Sequence, residues 1–364
     1  MKKDKEIELL KFVTKKNIYN ELVIPISQKK RYFLRILKNK TLIVSLTIFL
    51  IVFIFLILSY IFYNEEPNKP INNALFLNKE LPSEITPFKN EQILPGPKLE
   101  LFKKLANQYN DSVFINKIIG SNLYNVSYNA YKIIDDKNLV HILGTNSYGI
   151  DIFSRIIHSQ LNILLIALIS ITFALILSTF SALIIALYIR KRLSKFINNL
   201  FTTFTIVPYL ILSVILFLIF KNSFINAILI FTIISSLILF CNAYNKTLSV
   251  LNEEYVMADI AIGFSKYNLL WKTLLMPVIN SQLIQIIEHF SLILVSYSAI
   301  SIFSIDNSNN LTFGLIIKEG IQLFDKNPYY LITTSIITTS LTFSFKFISV
   351  ELNKIYEPKR GIYE

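Results

Sequence analysis

Cysteine occurs once, histidine three times, tryptophan once and glycine eight times in 364 residues. Cys241 sits inside an apolar run, so no intrachain disulfide can form. The histidines, at 141, 158 and 289, are widely separated, and no His/Cys cluster has metal-ligand spacing. The phosphate loop G-x-x-x-x-G-K-[ST] occurs nowhere. No catalytic constellation is present, so the chain is not expected to be an enzyme or to hold a metal or cofactor. Acids are also few: 24 against 36 Lys and Arg, for a formal net charge of +12.

Hydrophobicity is what the sequence has in excess. Apolar residues make up 53% and the mean hydropathy is +0.52, which points to several membrane spans. In a soluble protein the basic balance would suggest nucleic acid. Here twelve Lys and Arg against four acids lie in residues 1–40, and others flank apolar runs. Retention of positive loops on the cytoplasmic side accounts for this better, so a lipid bilayer and not nucleic acid is the expected partner.

Residues 1–40 read as a basic cytoplasmic arm and 41–63 as a first transmembrane helix. No small-residue cleavage site follows it, so it is expected to remain. Residues 64–157 form a large extracytoplasmic segment. Its proline-rich start is followed by a better-patterned stretch, about 99–131, expected to be partly helical. A permease-like core over 158–350 holds spans at 161–189, 201–220, 224–244, 279–303 and 329–350. Pro208 is expected to kink the third span. Arg190, Lys191 and Arg192 mark a cytoplasmic end. Residues 252–278 fall in a cytoplasmic loop, 306–328 in a short outside loop, and 351–364 in a cytoplasmic tail. The expected fold class is an all-α polytopic membrane protein with six transmembrane helices and both termini inside.

The loop carries the most informative stretch, residues 254–277, EYVMADIAIGFSKYNLLWKTLLMP. It reads as two short helices broken at Gly263, a residue that takes positive φ at no steric cost. Residues 141–157, HILGTNSYGIDIFSRII, form the second. Gly144 and Gly149 suit tight turns, and Asp151 and Arg155 stand at i, i+4, the spacing of a helical ion pair. Within the fifth span, Glu288 and His289 are costly in lipid. They either line a path or sit near the cytoplasmic end, held by Gln285 or a neighbouring helix. Ser296, Tyr297, Ser298 and Ser301 fit a pore lining or helix contacts equally. Lys346 is expected to snorkel to the cytoplasmic face.

Residues 254–277 resemble the cytoplasmic coupling loop of ABC-importer permeases, which in the oligopeptide/dipeptide (and nickel) branch reads roughly E-Y-V-x-A-A-x-x-x-G-A-S. Glu254, Tyr255, Val256, Ala258, Gly263 and Ser265 match. Met257 stands where Glu is usual, Asp259 where the second Ala is usual, and Pro277 comes one residue late. Residues 141–157 resemble the same family's L-G-T-D-x-x-G-R-D-x-x-S-R. Leu143, Gly144, Thr145, Gly149, Asp151, Ser154 and Arg155 match, with Asn146 for Asp and Ile150 for Arg. Phe313-Gly314 is similar to the family's Trp-Gly, and Glu357-Pro358-Lys359 to its closing Asp-Pro-Lys. The resemblance implies a C-type permease subunit of a type I ABC importer in a bacterial cell membrane. Implied partners are a second permease, two ATPase subunits that bind ATP and Mg, and an extracytoplasmic substrate-binding protein. The matched loop residues would couple to the ATPases. The cargo stays open between peptide and nickel, and a non-transport membrane anchor or sensor is the reading from another class.

Overall fold

The structure, a computed structural model, describes residues 34–69, 79–109, 111–120, 122–134, 141–303, 311 and 313–356. The N-terminal arm through residue 33 and Glu357-Pro358-Lys359 lie outside the described residues, as does the side chain of Ser301.

Helix α1 (Lys40–Phe62) is capped by the Asn39 side chain, which accepts from the Leu42 N–H. A small α+β unit follows. It comprises β1 (Phe88–Ile93), α2 (Pro97–Gln108), β2 (Val113–Lys117), β3 (Tyr124–Asn129) and the short α3 (Ala130–Ile134). The bundle continues with α4 (Ile152–Tyr188), α5 (Lys191–Ile206), α6 (Tyr209–Ile219), α7 (Phe224–Leu251) and α8 (Glu254–Ala261). It ends with α9 (Leu275–Phe303), α10 (Phe313–Gln322) and α11 (Pro328–Tyr356).

Five helices among the described residues are long and apolar enough to cross a membrane: Lys40–Phe62, Ile152–Tyr188, Phe224–Leu251, Lys266–Ile300 and Pro328–Ile355. A sixth exists if α5 and α6 count together, but they meet at 93°. This corrects the expected continuous span over 201–220. Pro208 has no N–H for a helical bond, and it forces Val207 out of the helical region, to φ −75°, ψ 128°. The helix therefore ends at Ile206 and restarts at Tyr209, a break sharper than a kink.

Residues 64–157 are partly helical, as expected, but they also hold a sheet, which corrects the all-α fold class. Their sheet has order β1-β3-β2, antiparallel throughout, with Phe88 opposite Asn129 and Val113 opposite Tyr128. Alternation explains it: Val113, Val126, Tyr128 and Ile93 turn to one face and bury with Leu99 and Phe102 of α2. Asn90, Asn116 and Asn125 between them are the outward positions of strands, not a polar helix face.

In the bundle, α4 and α7 form the central pair, with α9 against both. Small residues let α4 and α7 approach: Ala167, Ser170 and Ala174 on one, Ala227 on the other, with the Ser170 hydroxyl donating to the Ile228 carbonyl at 3.2 Å. Helix α1 lies along α11. The hydroxyls of Thr333, Thr334, Thr338, Thr339 and Thr342 donate to carbonyls three or four residues back, so this polar helix meets its own needs in a low-dielectric setting. The expected outside loop 306–328 contains α10, which buries Phe313, Gly314 and Ile316.

Candidate functional site

Helix α8 stands at one end of the bundle. Glu254 occupies its first turn, where the helix dipole favours an anion. Val256, fully buried, inserts among Val250, Leu269, Leu270 and Leu274. The helix closes in a Schellman motif. The Phe264 N–H donates to the Asp259 carbonyl and the Gly263 N–H to the Ile260 carbonyl, both at 3.0 Å, with Gly263 at φ +94°. Ser265 then caps the next turn by accepting from the Asn268 N–H at 3.3 Å. The Thr273 hydroxyl donates to Asp259 Oδ2 at 2.9 Å, so the residue that replaces the usual Ala ties α8 to the turn leading into α9.

The chain beyond Ser265 is not a separate short helix, as its sequence suggested. Lys266–Asn268 passes through a π-helical turn, Leu269–Leu274, directly into α9. Of the loop residues matched to the coupling motif, Glu254, Tyr255, Ala258, Gly263 and Ser265 are exposed, alongside Met257 and Ile262. Val256 points inward and anchors them. The Tyr255 hydroxyl has its pKa raised, by burial and then by the Glu253 and Asp259 carboxylates.

The second motif builds a polar knot before α4. Asp151 caps α4, accepting from the Ser154 N–H at 2.7 Å, from the Tyr63 hydroxyl at 2.6 Å, and lying 2.8 Å from His141 Nδ1. Burial and then the Asp151 charge raise the Tyr63 pKa, so this hydroxyl stays a donor. The expected Asp151–Arg155 ion pair is not formed, because Asp151 spends its oxygens on the cap and on the end of α1. Arg155 instead bonds Glu319 of α10 at 2.8 Å and the Pro67 carbonyl at 3.2 Å. Asn146 Oδ1 accepts from the N–H groups of Tyr148 and Ile150, both at 3.0 Å, as an Asp would. Its Nδ2 also donates to Glu319 Oε2 at 3.2 Å, which an Asp could not do. Thr145 Oγ1 accepts from the Leu81 N–H at 3.0 Å, stitching the α+β unit to the knot. Ile150, in the usual Arg position, is buried.

The charges of the fifth span are paired or buried. Glu288 meets Lys346 of α11, both half-exposed, so Lys346 does not simply snorkel and Gln285 is not the partner; Gln285 accepts from Asn242. His289 is buried with its ring 6.2 Å from that of Tyr209. Ser296 is buried, and the Ser298 hydroxyl donates to the Leu294 carbonyl. Tyr297 lines a cavity of about 410 Å³, together with Asn68, Ser159, Asn162, Asn222 and Phe313. Sequence reading passed over Asn162 and Asn222. An amide within or beside an apolar span was the available signal.

The helical bundle, the capped α8 and the knot before α4 belong together in one known class. Residues 174–360 match the family described as binding-protein-dependent transport system inner membrane component, and the chain belongs to it. It is a permease component of an ABC transporter. The chain is also 22% identical over 220 residues to the dipeptide transport system permease protein DppC of Alkalihalophilus pseudofirmus, covering 60% of this chain and 72% of that one.

Proposed function

We propose that this chain is the C-type permease of an ABC importer for dipeptides or oligopeptides. It forms the translocation path with a second permease, and two cytoplasmic ATPase subunits, which bind ATP and Mg, drive it. An extracytoplasmic binding protein delivers the cargo. Residues 64–157 and the α10 end face outward, and both termini and α8 face the cytoplasm. Similarity to a dipeptide permease favours peptide over nickel as cargo.

The observation that carries the reading is the exposed α8 surface. Tyr255, Met257, Ile260 and Ile262 are 51%, 53%, 49% and 77% exposed on an element held rigidly from beneath. An apolar patch on a fixed, capped helix suits a groove in a partner. The mechanical consequence comes from the chain path. Closure of the ATPase dimer displaces α8; Val256 and the Asp259–Thr273 bond pass that displacement to the π turn; α9 carries it roughly 30 Å to Tyr297.

A gentle-detergent pull-down of the tagged chain tests this, with Gly263→Trp in parallel. A Cβ at Gly263 meets nothing within 4 Å, but φ +94° strains any L side chain. The wild type should retain ATPases and a second permease, and the variant should lose the ATPases alone. Recovery of the wild-type chain without ATPases defeats the proposal.

A further inference from the structure

The cavity beside Tyr297 lies at the end of the bundle opposite α8. Its lining comes from the α1 exit (Asn68), α4 (Ser159, Asn162), the α6–α7 turn (Asn222) and α9 (Tyr297). Asn222 is only 5% exposed. Its Oδ1 accepts from the Tyr297 hydroxyl at 3.4 Å, while its Nδ2 makes no hydrogen bond among the described residues. The side chains of Asn68 and Asn162 likewise make none there.

Three primary amides line one hollow, Asn222 buried, Asn162 half-buried and Asn68 exposed, and each carries two N–H donors and a carbonyl acceptor. A volume of about 410 Å³ is in the range of small-molecule sites. Among the described residues the lining otherwise consists of hydroxyls and apolar groups, with no ionisable side chain except Tyr297. Such a surface houses a free charge poorly. It complements a neutral chain that offers N–H and C=O groups in alternation.

We infer that this cavity is a substrate pocket that holds the backbone amides of a peptide in transit, with Asn222 as its anchor. This rests on the peptide-importer reading. Amide-to-amide bonding reads the main chain and ignores side-chain identity, so the pocket is tolerant of peptide sequence. It sits where α9 ends, so displacement of α9 alters Tyr297 and the Asn222 contact together and releases the peptide.

The test is import of labelled di- and trialanine by the intact transporter in proteoliposomes, at saturating binding protein, comparing wild type, Asn222→Leu and Asn162→Leu. Each variant should import about ten-fold more slowly, the loss expected from one or two hydrogen bonds, with unchanged binding-protein-stimulated ATP hydrolysis. Should Asn222→Leu not assemble, Asn162→Leu, on a different helix and half-exposed, decides. Import at the wild-type rate by the assembled variants overturns the pocket and leaves the importer reading standing. Loss of the second permease from a variant's pull-down also overturns it, by making the cavity a subunit contact. Failure of the wild type to import either peptide overturns the importer reading itself, and the pocket with it.

Discussion

Arg155 and Glu319 join α4 to α10 across 164 residues, with side chains only 5% and 14% exposed. Removing one member strands the other in a low-dielectric knot. Arg155→Ala should therefore destabilise the protein by about 3 kcal/mol, read from thermal unfolding in detergent. Arg155→Met combined with Glu319→Gln should cost less than the two single changes summed, since neither leaves a lone charge. Additive effects would mean that the pair does not act as a unit. Gly144 poses a backbone question instead. It sits at φ +78°, and a Cβ there would overlap the carbonyl oxygens of Leu81 and Pro82. Both motif glycines before α4 were legible as turn formers. The partner of Arg155 was not, because i, i+4 spacing describes only the helix it sits on, whereas Glu319 arrives from a distant element.

Glu91 adds a pH dependence at the same scale. Burial opposes its ionisation, but hydrogen bonds and charges from Lys98 and Lys89 prevail, and its pKa lies below 4.5. A folded pKa below the unfolded one means that the contribution is full above about pH 4.5 and is lost as pH falls through the depressed value. The carboxylate is a quarter exposed, so the effect is modest. Glu91→Gln should flatten the acid limb of the stability curve of the α+β unit, followed by protease sensitivity of residues 79–134. An unchanged acid limb would remove Glu91 from the account.

Among elements, the link from α8 to α9 is the instructive case. The break at Gly263 could be read from its glycine; the Ser265 cap emerged only from the structure. The seamless run from Lys266 into α9 could not, since Lys266 and Lys272 resemble the polar stretch of a loop. Leu269, Leu270 and Leu274 bury in one cluster with residues of α7 and so keep the chain helical. Thr273→Val removes the hydroxyl bonded to Asp259. It should cost about 1 kcal/mol and speed amide hydrogen exchange in α8 while sparing α9. Equal exchange in α8 would show that Val256 alone holds it. The sheet was missed for a related reason: strands of five and six residues rich in Asn and Lys carry too little apolar alternation to stand out.

For the whole molecule, the number of long apolar helices was the most legible property, because about 20 apolar residues in a row have few other uses. The right-angled α5–α6 pair escaped, since hydropathy sums over a break that only Pro208 announces. Sidedness has a direct test, helped by the single, buried Cys241. In a Cys241→Ala background, Lys103→Cys on α2 should react with an impermeant maleimide on intact cells. Tyr267→Cys should react only after permeabilisation. Labelling of both from one side would rule out the proposed topology.

The pairing of α1 with α11 bears on how the protein is made. Asn39 donates to Glu351 at 2.7 Å, and the Phe49 and Phe345 rings lie 4.7 Å apart. Among the long apolar helices described, α1 comes first along the chain and is the most apolar, and α11 comes last and is the least. Thus α1 can wait alone in lipid while the intervening chain emerges, and α11, rich in threonine, finds a ready surface when it leaves the ribosome. Docking of α11 on α1 closes the described bundle, and a chain truncated before α11 would leave α1 as an unclaimed site for membrane quality control.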